Sequence, residues 1–482
     1  MDTNIGHQYA GGSIILFIAD GLSPQLFQLA DTYHTLRTGK HLTLQQSMEP
    51  LGLTFTTAWQ DEITDSAAAA TALFSGTRTM NGMINMSAKK QPLKTITEAA
   101  KEQGFLIGIV TTTHITHATP AGAYAHTYER DREDLIAEQL LQFQPDVALG
   151  GGRQFFLPIT STESARLDNI DLIQQFSNAG YHVIWNREQL WQRMMYDLNR
   201  KKLLGLFQVG HMSFEIDRLR MRPEIEPSLA EMTKTALVVL DDLRKDYELH
   251  QQGPESRSFF LVVEGGRIDH LAHAHDTRAA IEEVIAFDQA VSVALDYQKS
   301  HPDTLIIVTS DHDTGGLIWE GRVEDLAFHH LDNIEISLDW LNFLVQEMLK
   351  RKKHGGFYET TAAFLLHALE DRWGLFLSEA EQKALTRELA GDAIDRLKSA
   401  LSSSPTLDQT AFQYVLDLAN GLVTTALNKR IGLNWTTTGH TAGAVITWAK
   451  GPGTSAEIFH GVYHLTDIPR KIARVAQIDI SW

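Results

Sequence analysis

Short, continuous apolar runs recur along the chain and predict the strands of a sheet that is covered on both faces. A run that is apolar at every position, rather than at every second one, is typical of strands in a largely parallel sheet. The runs are rich in Ile, Val and Leu, and they lie at 13–18, 105–110, 146–149, 181–185, 259–263, 304–310 and 443–448.

Helical periodicity fills most of the chain between these runs. Residues 276–297, for example, repeat apolar side chains at a spacing of three to four, at Ile281, Val284, Ile285, Val291 and Leu295. Alternating strands and helices predict an α/β fold, with a central, mostly parallel sheet flanked by helices on both faces. In such a fold the functional groups gather at the carboxyl ends of the strands.

Two long stretches, 153–254 and 321–434, break this alternation. The second is almost wholly helical in pattern, and we favour a large peripheral helical insertion over a substrate lid because long inserts are often peripheral. No internal repeat and no long low-complexity linker divides the chain. We therefore expect residues 1–482 to form one domain that carries the insertion.

Composition and charge exclude several classes of site and partner. The chain has no cysteine, so it has no disulfide, no zinc–thiolate site and no cysteine nucleophile. A transition metal would therefore need His, Asp or Glu ligands. The formal net charge of −18 argues against nucleic acid or an anionic membrane surface as a partner. An anionic substrate would need a locally positive site, which metal ions would provide.

The start of the chain and its apolar runs bear on location. No run approaches the roughly 20 residues of a membrane helix. The opening "MDTNIGHQYAGGSIILFIADG" lacks the basic start and the cleavage pattern of a signal peptide. Either the protein is cytoplasmic or the numbering begins after a removed leader.

Acidic and histidine side chains stand at the ends of four predicted strands. Each of them alone is more simply explained as the cap of a helix or turn. In a parallel sheet, however, they converge on one edge, where so much like charge is unfavourable without bound cations. Imidazole and carboxylate ligands without thiolate suit Zn²⁺, and oxygen-only sets suit Mg²⁺. The residues are Asp20, Glu264, Asp269, His273, Asp311, His312 and His440.

Ser66 is the candidate nucleophile. It follows Asp65 and opens an alanine-rich helix, which places its hydroxyl near backbone N–H groups at the positive end of the helix dipole. Taken alone, it is better explained as an N-cap. A serine without an adjacent histidine base needs another activator, and coordination to a metal would lower its pKa. The nucleophile and the metal cluster therefore depend on each other.

The stretch "THATPAGAYAHTYERDRED" contains three more candidates. Arg130 offers a bidentate fork for two phosphate oxygens, but a solvated charge in a run rich in Arg and Glu is common. His117 and Thr119 precede Pro120 in a turn, where both are as easily structural. Physical reasoning alone does not choose between these interpretations.

Seven motifs, in order along the chain, resemble the successive signatures of alkaline phosphatases. Apart from the insertion, the resemblance covers residues 13–153 and 227–453. The joint occurrence of so many long motifs in one order is not expected by chance, although "GGGR" alone would be a weak signal. The motifs are "DSAAAATALFSG", "HATPAGAYAH", "DVALGGGR", "PSLAEMTKTAL", "VEGGRIDHLAH", "SDHDTGG" and "TTTGHTAG".

The resemblance implies a metal-dependent phosphomonoester hydrolase with two Zn²⁺ and one Mg²⁺ per chain and a serine that is phosphorylated during turnover. Carried over motif by motif, it implies that the first zinc is bound by Asp269, His273 and His440. It implies that the second is surrounded by Asp20, Asp311, His312 and the Ser66 oxygen. It implies that magnesium is held by Asp20, Thr119 and Glu264, with His117 near its water shell.

The resemblance also assigns the groups that contact the substrate. Arg130 would grip the phosphoryl group, Asp65 would orient Arg130, and His270 would approach the phosphoryl group through water. His117 and His270 follow the family variant with histidines beside the metals. His275 and Asp276 receive no role and are expected to be polar residues at a helix start.

Further expectations follow from the resemblance. The substrates would be small phosphate monoesters, and the protein would be a homodimer in the periplasm or outside the cell. A lid or a dimer crown stays open as an alternative role for the peripheral insertion. Two other functions stay open: a phosphodiesterase or sulfatase-like relative with the same metal cluster, and a non-enzymatic store of metal or phosphate. Arg130, and serine rather than threonine at position 66, favour the monoesterase, and a store needs no nucleophile.

Overall fold

The computed structural model describes residues 12–196, 201–250, 258–341, 343, 421 and 423–480. Its strands are β1 Ile14–Ile18, β2 Glu49–Phe55, β3 Leu106–His114, β4 Val147–Gly151, β5 His182–Ile184, β6 Leu203–Leu206, β7 Phe259–Glu264, β8 Leu305–Thr309, β9 Asp313–Thr314, β10 Leu317–Trp319, β11 Leu433–Trp435, β12 His440–Thr441, β13 Val445–Lys450 and β14 Gly461–His464.

The helices lie mostly between these strands. They are α1 Pro24–Thr38, α2 Thr43–Ser47, α3 Ser66–Ser75, α4 Ile96–Glu102, α5 Ala118–Ala121, α6 Glu133–Phe143, α7 Leu172–Asn178, α8 Arg187–Met195, α9 Glu215–Met221, α10 Leu229–His250, α11 Arg267–Ala274, α12 Thr277–Ser300 and α13 Asp467–Ala476. Residues 338–341 and 423–431 are also helical. None of the helices in the described part of the chain is long and apolar enough to cross a membrane.

Ten of the described strands form one sheet, in the order β14-β2-β13-β8-β1-β7-β3-β4-β6-β5. Strand β1 is parallel to both β7 and β8, and the pairings from β7 through β3, β4 and β6 to β5 are parallel as well. Strand β13 alone is reversed, because it is antiparallel to both β2 and β8. The predicted α/β fold with a mostly parallel sheet is therefore confirmed.

Apolar cores lie on both faces of the sheet. Along β1 every residue is buried, and alternate side chains belong to different cores. Ile15 and Phe17 pack with helices α1, α10 and α12, whereas Leu16 and Ile18 pack with helices α3, α4 and α6. Burial on both faces explains why the central strands are continuous apolar runs.

The two stretches that break the alternation have different structures. Residues 153–254 contain β5 and β6 of the central sheet together with α7 to α10, so this stretch largely continues the α/β pattern and does not interrupt it. Most of the predicted insertion 321–434 lies outside the described residues, which omit 342, 344–420 and 422. Its described end is not wholly helical, because β11 begins at Leu433 and pairs with β10.

The direction of the strands brings four chain segments to one edge. The chain leaves β1, β7 and β8 at their carboxyl ends, which lie together because these strands are parallel. The reversed strand β13 begins at this same edge, so the segment just before it arrives there too. A short ladder between β12 and β9 holds His440 opposite Thr314.

Gly21, at the turn after β1, has a backbone conformation and a close contact that both require glycine. Its φ is +77°, and a Cβ there would lie 2.7 Å from the Cα of Asp269. We predict that Gly21→Ala lowers the free energy of unfolding by more than about 3 kcal/mol, because left-handed strain of about 1–2 kcal/mol adds to a backbone collision. Urea unfolding measures this loss.

Gly39→Ala is the matched control. Gly39 has nearly the same φ, +74°, but nothing lies within 4 Å of a Cβ built there. Only the strain of about 1–2 kcal/mol should remain. Equal losses in the two variants would contradict the predicted collision with Asp269.

Candidate metal centre

The predicted ligand residues converge at the carboxyl edge of the sheet in three groups. In each group the candidate ligand atoms all lie within 4.8 Å of one another. Asp20, two residues after β1, belongs to two of the groups, and the ring of His312 in one of these stacks on His440 of the remaining group, with centroids 3.8 Å apart. The groups are Asp269, His273 and His440; Asp20, Asp311 and His312; and Asp20, His117 and Glu264.

Helix α11 supplies two members of the first group. Gly266 is the N-cap of α11, so the turn after β7 is Gly265 and Gly266, and the helix begins at Arg267. Asp269 and His273 are one turn apart on this helix, and Nε2 of His273 lies 3.3 Å from Oδ1 of Asp269.

Hydrogen bonds fix the tautomers of both histidines in the first group. Nδ1 of His273 donates to the carbonyl of Thr438, and Nδ1 of His440 donates to the carbonyl of Thr64 at 2.7 Å. Each Nε2 is therefore left with a lone pair in the neutral ring, and these two atoms face each other at 3.1 Å. Outer hydrogen bonds of this kind are typical of histidines that bind metals.

The second group repeats this arrangement at the end of β8. The hydroxyl of Thr314 donates to Asp269 at 2.6 Å, so it accepts from Nδ1 of His312, 3.2 Å away. Nε2 of His312 is again left with a lone pair, 3.2 Å from Oδ2 of Asp311 and 3.7 Å from Oδ1 of Asp20.

Three fully buried carboxylates each have one oxygen bonded to the protein and one without a hydrogen-bond partner. Asp311 accepts from the backbone N–H of Gly21 and of His312 through Oδ1. Asp20 and Glu264 accept threonine hydroxyls through one oxygen, from Thr119 for Asp20 and from Thr111 and Thr113 for Glu264. The free oxygens are Oδ1 of Asp20, Oε1 of Glu264 and Oδ2 of Asp311.

Burial acts strongly on these carboxylates. It raises the pKa of Asp311 to about 8 and that of Glu264 to about 7, and neighbouring carboxylates add to the shift. Burial, and then the charges of the other three acids, raise the pKa of Asp20 well above its usual range. Buried carboxylates with free oxygens facing imidazole lone pairs are unfavourable without cations, so the residues fit metal ions.

Ser66 lies beside the second group. It is the first residue of α3, is 2% exposed, and its Oγ is 3.3 Å from Nε2 of His312. The N-cap of this helix is Asp65, which accepts from the backbone N–H of Ala68. The interpretation of Ser66 as a simple N-cap is therefore wrong.

Asp65 also holds Arg130. Its Oδ2 accepts from the backbone N–H of Gly82 at 2.9 Å and from Nη1 of Arg130 at 3.0 Å. Nη2 of Arg130 lies 3.2 Å from Nε2 of His117, and Nδ1 of His117 is buried without a hydrogen-bond partner. Arg130 is thus not a solvated charge, because Asp65 and His117 orient its guanidinium.

A buried arginine that the sequence analysis missed orients His270. Nη1 of Arg267 lies 2.7 Å from Nδ1 of His270. Arginine only donates, so Nδ1 accepts and Nε2 of the neutral imidazole carries the proton. The guanidinium of Arg267 also lies over the ring of Phe214, 3.6 Å from its centroid.

Two further histidines beside this site were also missed. His211 stacks on His114, with ring centroids 3.6 Å apart, and its edge faces His270 at 4.8 Å. Glu133 anchors the pair by accepting from Nδ1 of His114 at 2.9 Å. His211 follows the missed strand β6, so no sequence pattern pointed to it.

Comparison with known proteins finds similarity to one family. A family model described as alkaline phosphatase matches residues 12–336. An alkaline phosphatase of Schizosaccharomyces pombe is 35% identical over 67% of this chain, and the match covers 62% of that protein, less than two thirds of its length. Alkaline phosphatase 3 of Bacillus subtilis is 30% identical, and the match covers 99% of this chain and 91% of that protein.

A solved structure has the same fold over almost the whole chain. The crystal structure of Thermus thermophilus alkaline phosphatase is similar with a TM-score of 0.79 at 28% sequence identity. The match covers 98% of this chain and 93% of that one.

The charge on the carboxylate cluster predicts opposite effects of Asp311→Asn with and without metal. In metal-stripped protein at pH 9, above the pKa of about 8 to which burial raises Asp311, the change should raise the free energy of unfolding by about 1–3 kcal/mol, because it removes one buried charge near the like charges of Asp269 and Glu264. With zinc present the same change should lower the free energy of unfolding, because a candidate zinc ligand is lost. Urea unfolding in both states measures the two signs.

Asp288→Asn is the control for this prediction. Asp288 is also buried, but its two oxygens accept the backbone N–H groups of Thr43 and Leu44 at 2.8 Å. An amide there cannot accept both bonds, so stability should fall by about 1–3 kcal/mol with or without metal. A loss of stability in metal-stripped Asp311→Asn would contradict the account of the cluster as strained by like charge.

Proposed function

The chain belongs to the alkaline phosphatase family, and from this we propose that it hydrolyses phosphate monoesters through a phosphoserine formed on Ser66. One observation carries the proposal most: the Ser66 hydroxyl is buried at the start of α3, 3.3 Å from Nε2 of His312 and beside the strained carboxylate cluster. A serine in this position has a proposed activator beside it, and its chain neighbour Asp65 orients Arg130.

The three groups are proposed to hold two Zn²⁺ and one Mg²⁺. Asp269, His273 and His440 would hold one zinc, and Asp20, Asp311 and His312 the other, together with the Ser66 oxygen. Asp20, Thr119 and Glu264 would hold magnesium, with His117 near its water shell. When bound, these cations would neutralise the carboxylates, lower the pKa of the attacking hydroxyl and offset charge on the phosphoryl oxygens.

Ser66 carries the covalent step. Its Oγ attacks the phosphorus in line, the bond from phosphorus to the ester oxygen breaks, and the alcohol leaves with one proton. A water molecule then attacks the phosphoserine, which releases inorganic phosphate and restores the hydroxyl. The N-terminus of α3 places positive dipole near the oxygens of the transferred group.

Arg130 and His270 are proposed to bind the phosphoryl group. Asp65 uses one N–H of the guanidinium, and the planar fork has further donors for two non-bridging oxygens. His270 presents Nε2–H, because Arg267 occupies its Nδ1, and this proton can be donated through a water molecule.

The two alternatives are less well supported by these contacts. A phosphodiesterase or sulfatase-like relative would share the metal groups, but a diester has an ester oxygen where Arg130 would grip a free one. A metal or phosphate store needs neither a buried nucleophile nor Asp65 to orient Arg130. We therefore retain the monoesterase as the function.

Family membership supports the remaining proposals. Residues 1–482 would form one catalytic domain that includes segment 321–434, and two chains would form a homodimer in the periplasm or outside the cell. Small phosphate monoesters would be the substrates, without a nucleic-acid or membrane partner. The net charge of −18 is consistent with the absence of a nucleic-acid partner.

Ser66→Ala tests the covalent route. We expect kcat on an aryl phosphate to fall by at least about 10³-fold, because only direct attack by water is left. Acid quenching followed by mass spectrometry should detect a phosphoserine in the wild type and none in the variant. Ser75→Ala is the control, because Ser75 is equally buried on the same helix and its hydroxyl donates to the Thr71 carbonyl. Near-full activity of Ser66→Ala would refute the mechanism.

Arg130→Ala separates the monoesterase from the diesterase. Loss of a charge-assisted bidentate contact of about 2–4 kcal/mol should lower kcat/KM for monoesters by about two to three orders of magnitude. Diester hydrolysis should fall much less. Arg132→Ala is the control, since Arg132 is half exposed and pairs with Asp134. Equal losses on both substrates would leave the choice of monoesterase without support from Arg130.

A further inference from the structure

The turn between α11 and α12, formed by His275, Asp276 and Thr277, has no part in the mechanism above. Helix α11 carries Asp269 and His273 and ends at His275, whose φ of +55° is left-handed. Asp276 is 1% exposed and caps α12 by accepting from the N–H of Ala279. This turn follows directly after the two metal-ligand candidates of α11.

Asp276 binds the described chain near the start of segment 321–434. Its Oδ2 accepts the backbone N–H of Leu338 at 2.8 Å. A second buried carboxylate, Asp217, accepts the neighbouring N–H of Ser337 at 2.8 Å and also the Ser337 hydroxyl. Two consecutive N–H groups at the start of a helical stretch are thereby held on the catalytic core.

His275 and Thr277 bind the end of the same segment through Asn428. Asn428 is 3% exposed and uses both atoms of its amide, because Oδ1 accepts from Thr277 at 2.6 Å and Nδ2 donates to the carbonyl of His275 at 3.0 Å. The hydroxyl of Thr277 also accepts from Nε1 of Trp435 at 3.0 Å.

The His275 ring contacts the chain that leads to His440. It stacks on Trp435, with centroids 5.4 Å apart and planes at 11°, and its Nε2 donates to the carbonyl of Thr437 at 2.8 Å. The next carbonyl, that of Thr438, accepts from His273. Two successive carbonyls, those of Thr437 and Thr438, thus accept hydrogen bonds from two histidines at the end of one helix. One of these histidines, His273, is a ligand candidate, and the chain that they hold leads through Gly439 to His440.

We propose that the turn His275–Thr277 couples the docking of both ends of segment 321–434 to cation affinity at the group Asp269, His273 and His440. The inference rests on the proposed metal sites. His275 is the positioning residue, because it holds the chain that carries His440 against the helix that carries His273. Coupling between two such equilibria is reciprocal: zinc strengthens the docking by the factor by which docking strengthens zinc binding.

Zinc competition with a chromophoric chelator tests the effect of the turn on the metal site. The probe is Zn²⁺ added to the metal-stripped full chain. In His275→Asn, which tolerates left-handed backbone but loses the stack and the reach to Thr437, one zinc equivalent should bind about 10–100-fold more weakly. In His275→Phe, which retains a ring for Trp435, a smaller loss should remain.

His301→Phe is the matched control for the ring. His301 lies at the other end of α12 and stacks on Tyr297, with centroids 3.9 Å apart. The His301→Phe variant should bind every zinc equivalent with the affinity of the wild type. Unchanged zinc affinity in His275→Asn would overturn the inference.

Hydrogen exchange tests the reciprocal effect. Its first measurement uses the wild-type protein and therefore does not depend on a variant that folds. Zinc should slow amide exchange in peptides covering 336–341 and 423–435, and His275→Asn should lose at least about tenfold of that protection. Zinc binding without any protection would overturn this inference alone. A wild-type protein that binds no zinc would overturn the proposed metal function, and this inference with it. Neither readout depends on turnover, so inactivity towards phosphate monoesters would sink only the proposed reaction.

Discussion

The repulsion among four buried carboxylates at one edge of the sheet is the constraint on which the rest of the structure depends. Asp20, Glu264, Asp269 and Asp311 each follow or end a parallel strand or begin the next helix. In Asp20, Glu264 and Asp311, one carboxylate oxygen accepts hydrogen bonds and the other has no hydrogen-bond partner. A folded chain tolerates such a cluster only at a cost in stability, and bound cations remove that cost.

The directions of the strands bring the histidine ligand candidates to the same edge as these carboxylates. Only the reversed direction of β13 brings the chain before it, and hence His440, to the edge where β1, β7 and β8 end. His440 in turn donates to the carbonyl of Thr64, two residues before Ser66, so a ligand candidate of the first group also holds the chain at the start of α3. Outer contacts of this kind orient metal ligands and reactive groups together.

Much of the fold could be predicted because the central strands are buried on both faces and are therefore apolar at every position. Strand β2 was missed because one of its faces is exposed and its second residue is Pro50, and β6 because it has only four residues, one of them Gly205. The convergence of these acids and histidines on one edge could be predicted from the parallel strands, but their division into three metal groups could be predicted only through the family motifs, since the spacing between Asp20 and Asp311 carries no signal of contact. Arg267 and His211 contact His270 through a hydrogen bond and ring packing, and no local sequence pattern predicts these contacts.

The central claim is that this carboxylate and histidine cluster holds metal ions. Anomalous diffraction at the zinc edge from crystals of the protein grown with zinc and magnesium tests it most directly. The account predicts two anomalous peaks per chain, one bounded by Asp269, His273 and His440 and the other by Asp20, Asp311 and His312. A map with no zinc peak at this edge of the sheet, from protein that hydrolyses phosphate monoesters, would contradict it.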